Sequence, residues 1–99
     1  MSYKLTFLPL ASEDTIIAKK YLSQYYLGTA EKFTAELRRQ IKNVKENPYM
    51  FVAYERNPKF RKMLIHDYIG FYTVDDSKKL IRLHRILHGK LNLDEIEIE

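Results

Sequence analysis

The residues best equipped for chemistry are crowded into the last third of the chain. Between Arg56 and Lys90 stand nine lysines and arginines against three aspartates. The densest stretch is Leu80-Ile81-Arg82-Leu83-His84-Arg85-Ile86-Leu87-His88-Gly89-Lys90. Guanidinium groups grip phosphates and carboxylates through two parallel hydrogen bonds. Arg61, Lys62, Arg82, His84, Arg85, His88 and Lys90 are therefore the candidates for contact with an anionic target. His84 and His88 are four apart, a spacing that suits a metal on a helix. Here the apolar alternation indicates a strand, where four residues span about 13 Å. The two rings then cannot share an ion, and no metal is expected. Nor is a cofactor: the chain has no glycine-rich phosphate loop, no CxxC and no GxSxG. A period of two puts Arg82, His84 and His88 on one face of this strand and Arg85 on the other, in phase with Ile81, Leu83 and Leu87. A charge in that position is costly unless an acid pairs with it or a β-bulge turns it outward.

Several elements must position these groups. Tyr3, Leu5 and Phe7 alternate with Lys4 and Thr6, which predicts a strand stopped by Pro9. Ser12 is a suitable N-cap for a first helix whose apolar face would be Ile17, Tyr21, Leu22 and Tyr25, ended by Gly28. Thr29 can cap a second helix. Its stripe Ala30, Phe33, Leu37, Ile41 and Val44 follows steps of three and four up to Pro48. So short a join makes the two helices an αα-hairpin. Residues 48–59 read as a loop. Three β-rich runs follow, Phe60–Ile65, Tyr68–Val74 and Leu80–His88, separated by turns short enough for an antiparallel meander. The expected fold is α+β: an N-terminal strand at the sheet's edge, the hairpin, then the meander, with the helices packed on one sheet face.

The 99 residues suffice for one domain with one modest core. We place that domain at residues 1–93 and treat residues 94–99 as an acidic tail. Asp94, Glu95, Glu97 and Glu99 are four of the 13 acids, so residues 1–93 hold 17 basic residues against nine acidic ones. A basic body predicts an anionic partner, whether nucleic acid, nucleoprotein or acidic protein. The tail alternates acid and isoleucine; a solvated terminus is the expectation, with a short strand or a latch over the basic surface as alternatives. Eight tyrosines and no cysteine are present. The absence of thiols fits a reducing cytosol. Apolar runs are too short for a membrane span of ~20 residues, and the N-terminus lacks an apolar signal segment. A cytoplasmic location is expected.

The segments Tyr3-Lys4-Leu5-Thr6-Phe7-Leu8-Pro9-Leu10-Ala11, Ala30-Glu31-Lys32-Phe33, Glu46-Asn47-Pro48, Phe60-Arg61-Lys62-Met63-Leu64-Ile65, Tyr68-Ile69-Gly70-Phe71-Tyr72-Thr73-Val74-Asp75-Asp76 and Arg85-Ile86-Leu87-His88-Gly89 occur in that order. In order and spacing the chain resembles the RelE/ParE superfamily of toxins from bacterial type II toxin–antitoxin systems, nearly end to end. The resemblance implies a helical hairpin on a small antiparallel sheet, and a cognate antitoxin as partner. It also implies one of two activities. RelE-like members cleave mRNA in the ribosomal A site, and ParE-like members bind DNA gyrase and block its cycle. Arg61, Arg85 and His88 match superfamily positions and would be the catalytic candidates of a nuclease. However, Ile69 stands where the nuclease branch often carries an arginine. Gly89-Lys90-Leu91 follows His88 where that branch often has a terminal acid–base group. The Leu87-His88-Gly89 ending is more similar to the ParE branch, so the resemblance favours a gyrase-directed growth inhibitor of the plasmid-stabilising kind. A ribosome-dependent endoribonuclease is the alternative.

Overall fold

Pro9 both stops the first strand and starts the first helix, because its fixed φ suits the first helical position and its missing N–H is not needed there. The computed structural model describes residues 2–25, 27–91 and 98. In chain order these form β1 (Lys4–Phe7), α1 (Pro9–Ser23), α2 (Thr29–Glu46), β2 (Arg61–Ile65), β3 (Tyr68–Asp75) and β4 (Leu80–His88). The helix start differs from the expected one at Ser12: Leu8 is the N-cap residue, with no side-chain cap, and Ser12 lies within the helix. Gly28 also has another role than the one expected. α1 stops at Ser23, and Gly28 takes a left-handed φ of 84° immediately before α2. Glycine adopts that conformation without a Cβ penalty. No side chain caps α2, so Thr29 begins the helix without supplying a capping bond.

The sheet runs β1-β4-β3-β2, with the meander antiparallel and β1 lying parallel to β4 at one edge. This is the expected α+β architecture. The stripe on α2 is core: Phe33, Leu37 and Val44 are buried and Ile41 packs against them. They meet Met63, Ile65, Tyr68, Tyr72, Ile81, Leu83 and Ile86 from the sheet. Gly70 sits inside this contact; a Cβ there would come 3.2 Å from Leu83 Cδ1 and 3.3 Å from Ile65 Cδ1. A second apolar cluster, Tyr54, Phe60, Phe71, Leu87 and Ile98, covers the other face of the sheet.

One irregularity changes the face assignments on β4. Phe71 pairs with Arg85 while Tyr72 pairs with Leu83, so His84 is one residue too many for its partner strand. Such a β-bulge shifts the alternation beyond it. Ile81 and Leu83 before the bulge and Ile86 after it all join the helix-side core, and Leu87 joins the outer cluster. The expected grouping of Leu87 with Ile81 and Leu83, and of His88 with Arg82 and His84, is thereby corrected.

Leu37 is 5% exposed at the centre of the helix–sheet contact. Leu37→Ala is expected to cost about 2–5 kcal/mol of folding stability. Urea denaturation would measure it; a variant as stable as wild type would overturn the assignment of this face.

Candidate functional site

The site is organised by the way α1 lies on β4. Ala11 and Ala18 are fully buried against the sheet, and Asp14 stands between them, also buried. Two residues with only a methyl side chain allow helix and strand to approach closely. The carboxylate on the same helical face is thereby brought to the strand backbone. β1 pairs with β4 only as far as Phe7 and Leu83, and the Leu8 N–H then donates to the Leu83 carbonyl at 2.9 Å. Beyond that point the β4 edge that faced β1 is not covered by β1, while β3 continues on the other side, and a buried N–H without an acceptor is costly. Asp14 Oδ2 supplies the acceptor, 3.0 Å from the Ile86 amide. The same carboxylate accepts from Arg85 Nε at 2.7 Å and Nη2 at 3.0 Å. The charge read as costly in the sequence is thus paired, and the pair doubles as the end-stop of the strand edge. The hydrogen bond to Asp14 holds the Arg85 pKa above its usual range, against an opposing contribution from burial.

The other candidates are distributed over both faces. Lys62, Arg82 and His84 share the outer face with Phe71. Lys62 pairs with Glu55 at 3.2 Å and Arg82 with Asp75 at 3.5 Å. His84 Nε2 lies 3.0 Å from Thr73 Oγ1, and its ring meets Phe60 edge-on with centroids 4.9 Å apart. Arg61 is near the loop after α2, donating to the Phe51 carbonyl at 2.7 Å with its guanidinium 4.7 Å from the Tyr49 ring centroid. His88 is on the helix side, packed edge-on against Tyr68 at 5.1 Å. Its Nδ1 accepts the Lys90 amide at 3.1 Å, so a neutral ring carries its proton on Nε2. Register separates these groups. Arg61 pairs with Tyr72 and His88 with Tyr68. That offset is about 13 Å along the strands, with a further two strand spacings, about 10 Å, across them. Arg61, Arg85 and His88 are not gathered around one point. Among the described residues, no group of three or more His, Cys, Asp or Glu is placed to hold a metal ion.

Two features escaped the sequence. The first is an apolar groove of about 480 Å³ between α1 and the end of β4, lined by Asp14, Ile17, Ala18, Tyr21, Tyr68, Ile86, Leu87, His88, Lys90 and Leu91. Ile17, Tyr21 and Tyr25 were expected on the apolar face of the helix, yet they are 64%, 49% and 58% exposed. The close approach of Ala11 and Ala18 leaves no room for bulkier residues beneath the helix, so these side chains flank the contact or lie outside it. The second is a clasp at the β3–β4 turn. Tyr3 and Tyr49 each donate a hydroxyl hydrogen bond to Asp76, both at 2.5 Å. Nothing local in the sequence links three residues so far apart.

Solved structures place this architecture in a known class. A chain of the chromosomal ParDE toxin–antitoxin system from P. aeruginosa superposes with a TM-score of 0.70 at 16% identity, covering 88% of this chain and 96% of that one. A chain of the toxin–antitoxin complex RelBE2 from Mycobacterium tuberculosis gives 0.62 at 14% identity, covering 89% and 99%. An arginine-to-alanine double variant of the E. coli toxin RelE in the free state gives 0.60 at 19% identity, covering 91% and 86%. The fold is that of the RelE/ParE toxins. The family model of the ParE toxin of type II toxin–antitoxin systems, parDE, matches residues 5–93, and the chain belongs to that family. No curated protein matches it in sequence.

The clasp makes a pH prediction. The Tyr3 phenol is raised from 10.0 to about 12, chiefly by its hydrogen bond to Asp76. A raised tyrosine pKa contributes stability that is complete below pH 10 and lost as pH rises through about 12. Asp76 is lowered, first by Tyr3 and then by Tyr49, so its contribution is present above its ordinary 3.8 and lost as pH falls through the lower folded value. Tyr72 also titrates at about 12, but because it is buried. In an alkaline titration followed by phenolate absorbance, Asp76→Asn should return Tyr3 towards 10 and leave Tyr72 late. An unchanged Tyr3 would show that the clasp does not form.

Proposed function

We propose that this chain is a cytoplasmic growth-inhibiting toxin that acts on DNA gyrase and is silenced by a cognate antitoxin. The observation that carries the gyrase reading is the dispersal of Arg61, Arg85 and His88, with Arg85 neutralised by Asp14. RNA cleavage needs a base for the 2′-hydroxyl, an acid for the leaving oxygen and cations around one phosphate, all within reach of the same few atoms. These three groups do not meet that requirement. Ile69 supports the same reading: it packs against the outer apolar cluster at the position similar to the nuclease branch's arginine. The match to the ParE family model points the same way. The cations on the sheet, Lys62 and Arg82 foremost, and Lys90 beside the groove, would then contact the target protein.

An endoribonuclease is kept as a second reading by one observation. By resemblance, Arg61 and His88 match superfamily positions, and the fold is also similar to that of RelE.

The antitoxin proposal rests on two supports. The P. aeruginosa and M. tuberculosis neighbours are described as a toxin–antitoxin system and complex. This chain also presents an open apolar groove along α1. An acidic, partly disordered antitoxin segment that folds on binding would cover Ile17 and Tyr21 and bring its acids towards Lys90.

Coexpression with the adjacent acidic open reading frame should yield a complex that melts higher than the free toxin. Ligand at ~1,000 times its Kd adds about 4 kcal/mol. Ile17→Asp should weaken that complex without lowering the melting temperature of the free chain, since Ile17 is exposed. An unaffected complex would move the antitoxin elsewhere.

Target class is decided by parallel assays of the purified chain on gyrase supercoiling and on mRNA in programmed ribosomes. Inhibited supercoiling with intact mRNA is expected. Codon-registered cuts with active gyrase would reverse the assignment and restore Arg61 and His88 as catalytic candidates.

A further inference from the structure

Arg39, Lys62, Arg82 and Arg85 are each paired with an acid, Glu36, Glu55, Asp75 and Asp14 respectively. The helical hairpin carries another set of cations. Lys19 on α1 and Arg38, Lys42 and Lys45 on α2 have no ion-pair partner among the described residues. A turn of 3.6 residues sets Arg38, Lys42 and Lys45 within about 60° of one another around the helix axis, with about 6 Å and then about 4.5 Å of rise between them. Arg38 and Lys42 are exposed and Lys45 is half-buried. With Ile41 they line a hollow of about 340 Å³. Arg38 also borders a second hollow, of about 420 Å³, which Lys19 lines from α1. Through this shared arginine the two hollows form one cationic track across the hairpin.

The fold gains nothing from this row, since like charges three and four residues apart destabilise a helix. Glu31 and Glu46 border the two hollows, yet neither forms an ion pair with the track among the described residues. Phe33, Leu37 and Val44 form the buried face of α2, so the track lies on the side turned away from the core. A row of unpaired cations matches a line of phosphates, whose charges recur at short, regular intervals. Single strands are held differently, by bases stacked on aromatic side chains. Among the described residues no aromatic side chain lines either hollow. The exposed Tyr21 and Tyr25 instead stack on each other, with centroids 4.8 Å apart, and Tyr21 lines the groove at the end of β4. Duplex RNA fits less well than duplex DNA. The major groove of B-DNA, about 12 Å wide, admits a helix, whereas that of A-form RNA is too narrow.

We propose that the outer side of the helical hairpin binds the phosphate backbone of duplex DNA through Lys19, Arg38, Lys42 and Lys45. Phosphate contacts carry no sequence information, so the binding is independent of sequence. It is separate from the contact proposed for the target protein, which uses the sheet and the end of β4, and either can fail without the other. One chain would then hold a protein with its sheet and DNA with its hairpin.

The test titrates the full-length chain, without gyrase, against a labelled DNA duplex of about 20 base pairs at several salt concentrations. Four phosphate contacts predict that log K falls against log salt with a slope of about −3.6. Arg38→Gln/Lys42→Gln should lower the magnitude of that slope by about 2 and weaken binding at low salt at least tenfold, roughly. Lys59→Gln/Lys78→Gln removes the same net charge from elsewhere on the surface and should keep the slope and the affinity within about twofold. All four substituted residues are exposed, and circular dichroism should show both variants melting like wild type. Absence of DNA binding by wild type would overturn the proposal. Equal losses in the two variants would also overturn it, by assigning the binding to net charge alone. So would binding to an RNA duplex or to polyglutamate as tight as that to DNA.

Discussion

Asp14 and Arg85 are 71 residues apart in sequence and share two hydrogen bonds, with the Ile86 amide making a third on the same carboxylate. The side chains are 9% and 19% exposed, so both charges are largely withdrawn from water. Such a pair contributes little net stability compared with apolar residues of the same volume, but removing one partner leaves a buried charge and is severely destabilising. Its value here is positional. β1 is too short to accompany β4 to its end, and Asp14 takes over where the strand pairing stops. α1 is thereby locked to the half of β4 that carries the superfamily-like residues.

The rest of the surface follows from that lock. Because Ala11 and Ala18 make the close contact, the bulky residues of α1 remain outside and flank the groove that ends at His88 and Leu91. Because Arg85 is committed to Asp14, the cationic character of the sheet rests on Lys62 and Arg82 on one face and Arg61 on the other. Each has its own partner in Glu55, Asp75 or the Phe51 carbonyl.

Much of this was legible in the sequence, and the failures are instructive. α2 was readable because Phe33, Leu37 and Val44 are both large and periodic, so the residues that dominate the pattern also dominate the burial. α1 was misread for the complementary reason. Ile17, Tyr21 and Tyr25 dominate its pattern, while its buried face consists of two alanines and an aspartate that carry almost no hydropathy signal. The alternation on β4 was sound up to Leu83. An extra residue at His84 could not be seen from one strand alone, since a bulge is defined by its partner. The need of Arg85 for an acid was visible, but the identity of that acid depended on a helix–strand approach that only small residues permit. The clasp of Tyr3 and Tyr49 on Asp76 is likewise a product of topology.

The claim that Arg85 belongs to the fold, and not to a catalytic or target-binding surface, can be tested by a double-mutant cycle on Asp14 and Arg85. Unfolding free energies of wild type, Asp14→Ala, Arg85→Ala and the double variant would be measured together with growth inhibition by each. We expect each single change to remove about 3–5 kcal/mol. The double variant should be less impaired than the sum of the two, with a coupling of at least 1 kcal/mol, roughly, and toxicity should track stability. An Arg85→Ala protein that unfolds like wild type yet has lost its toxicity would contradict this account and return Arg85 to the working surface.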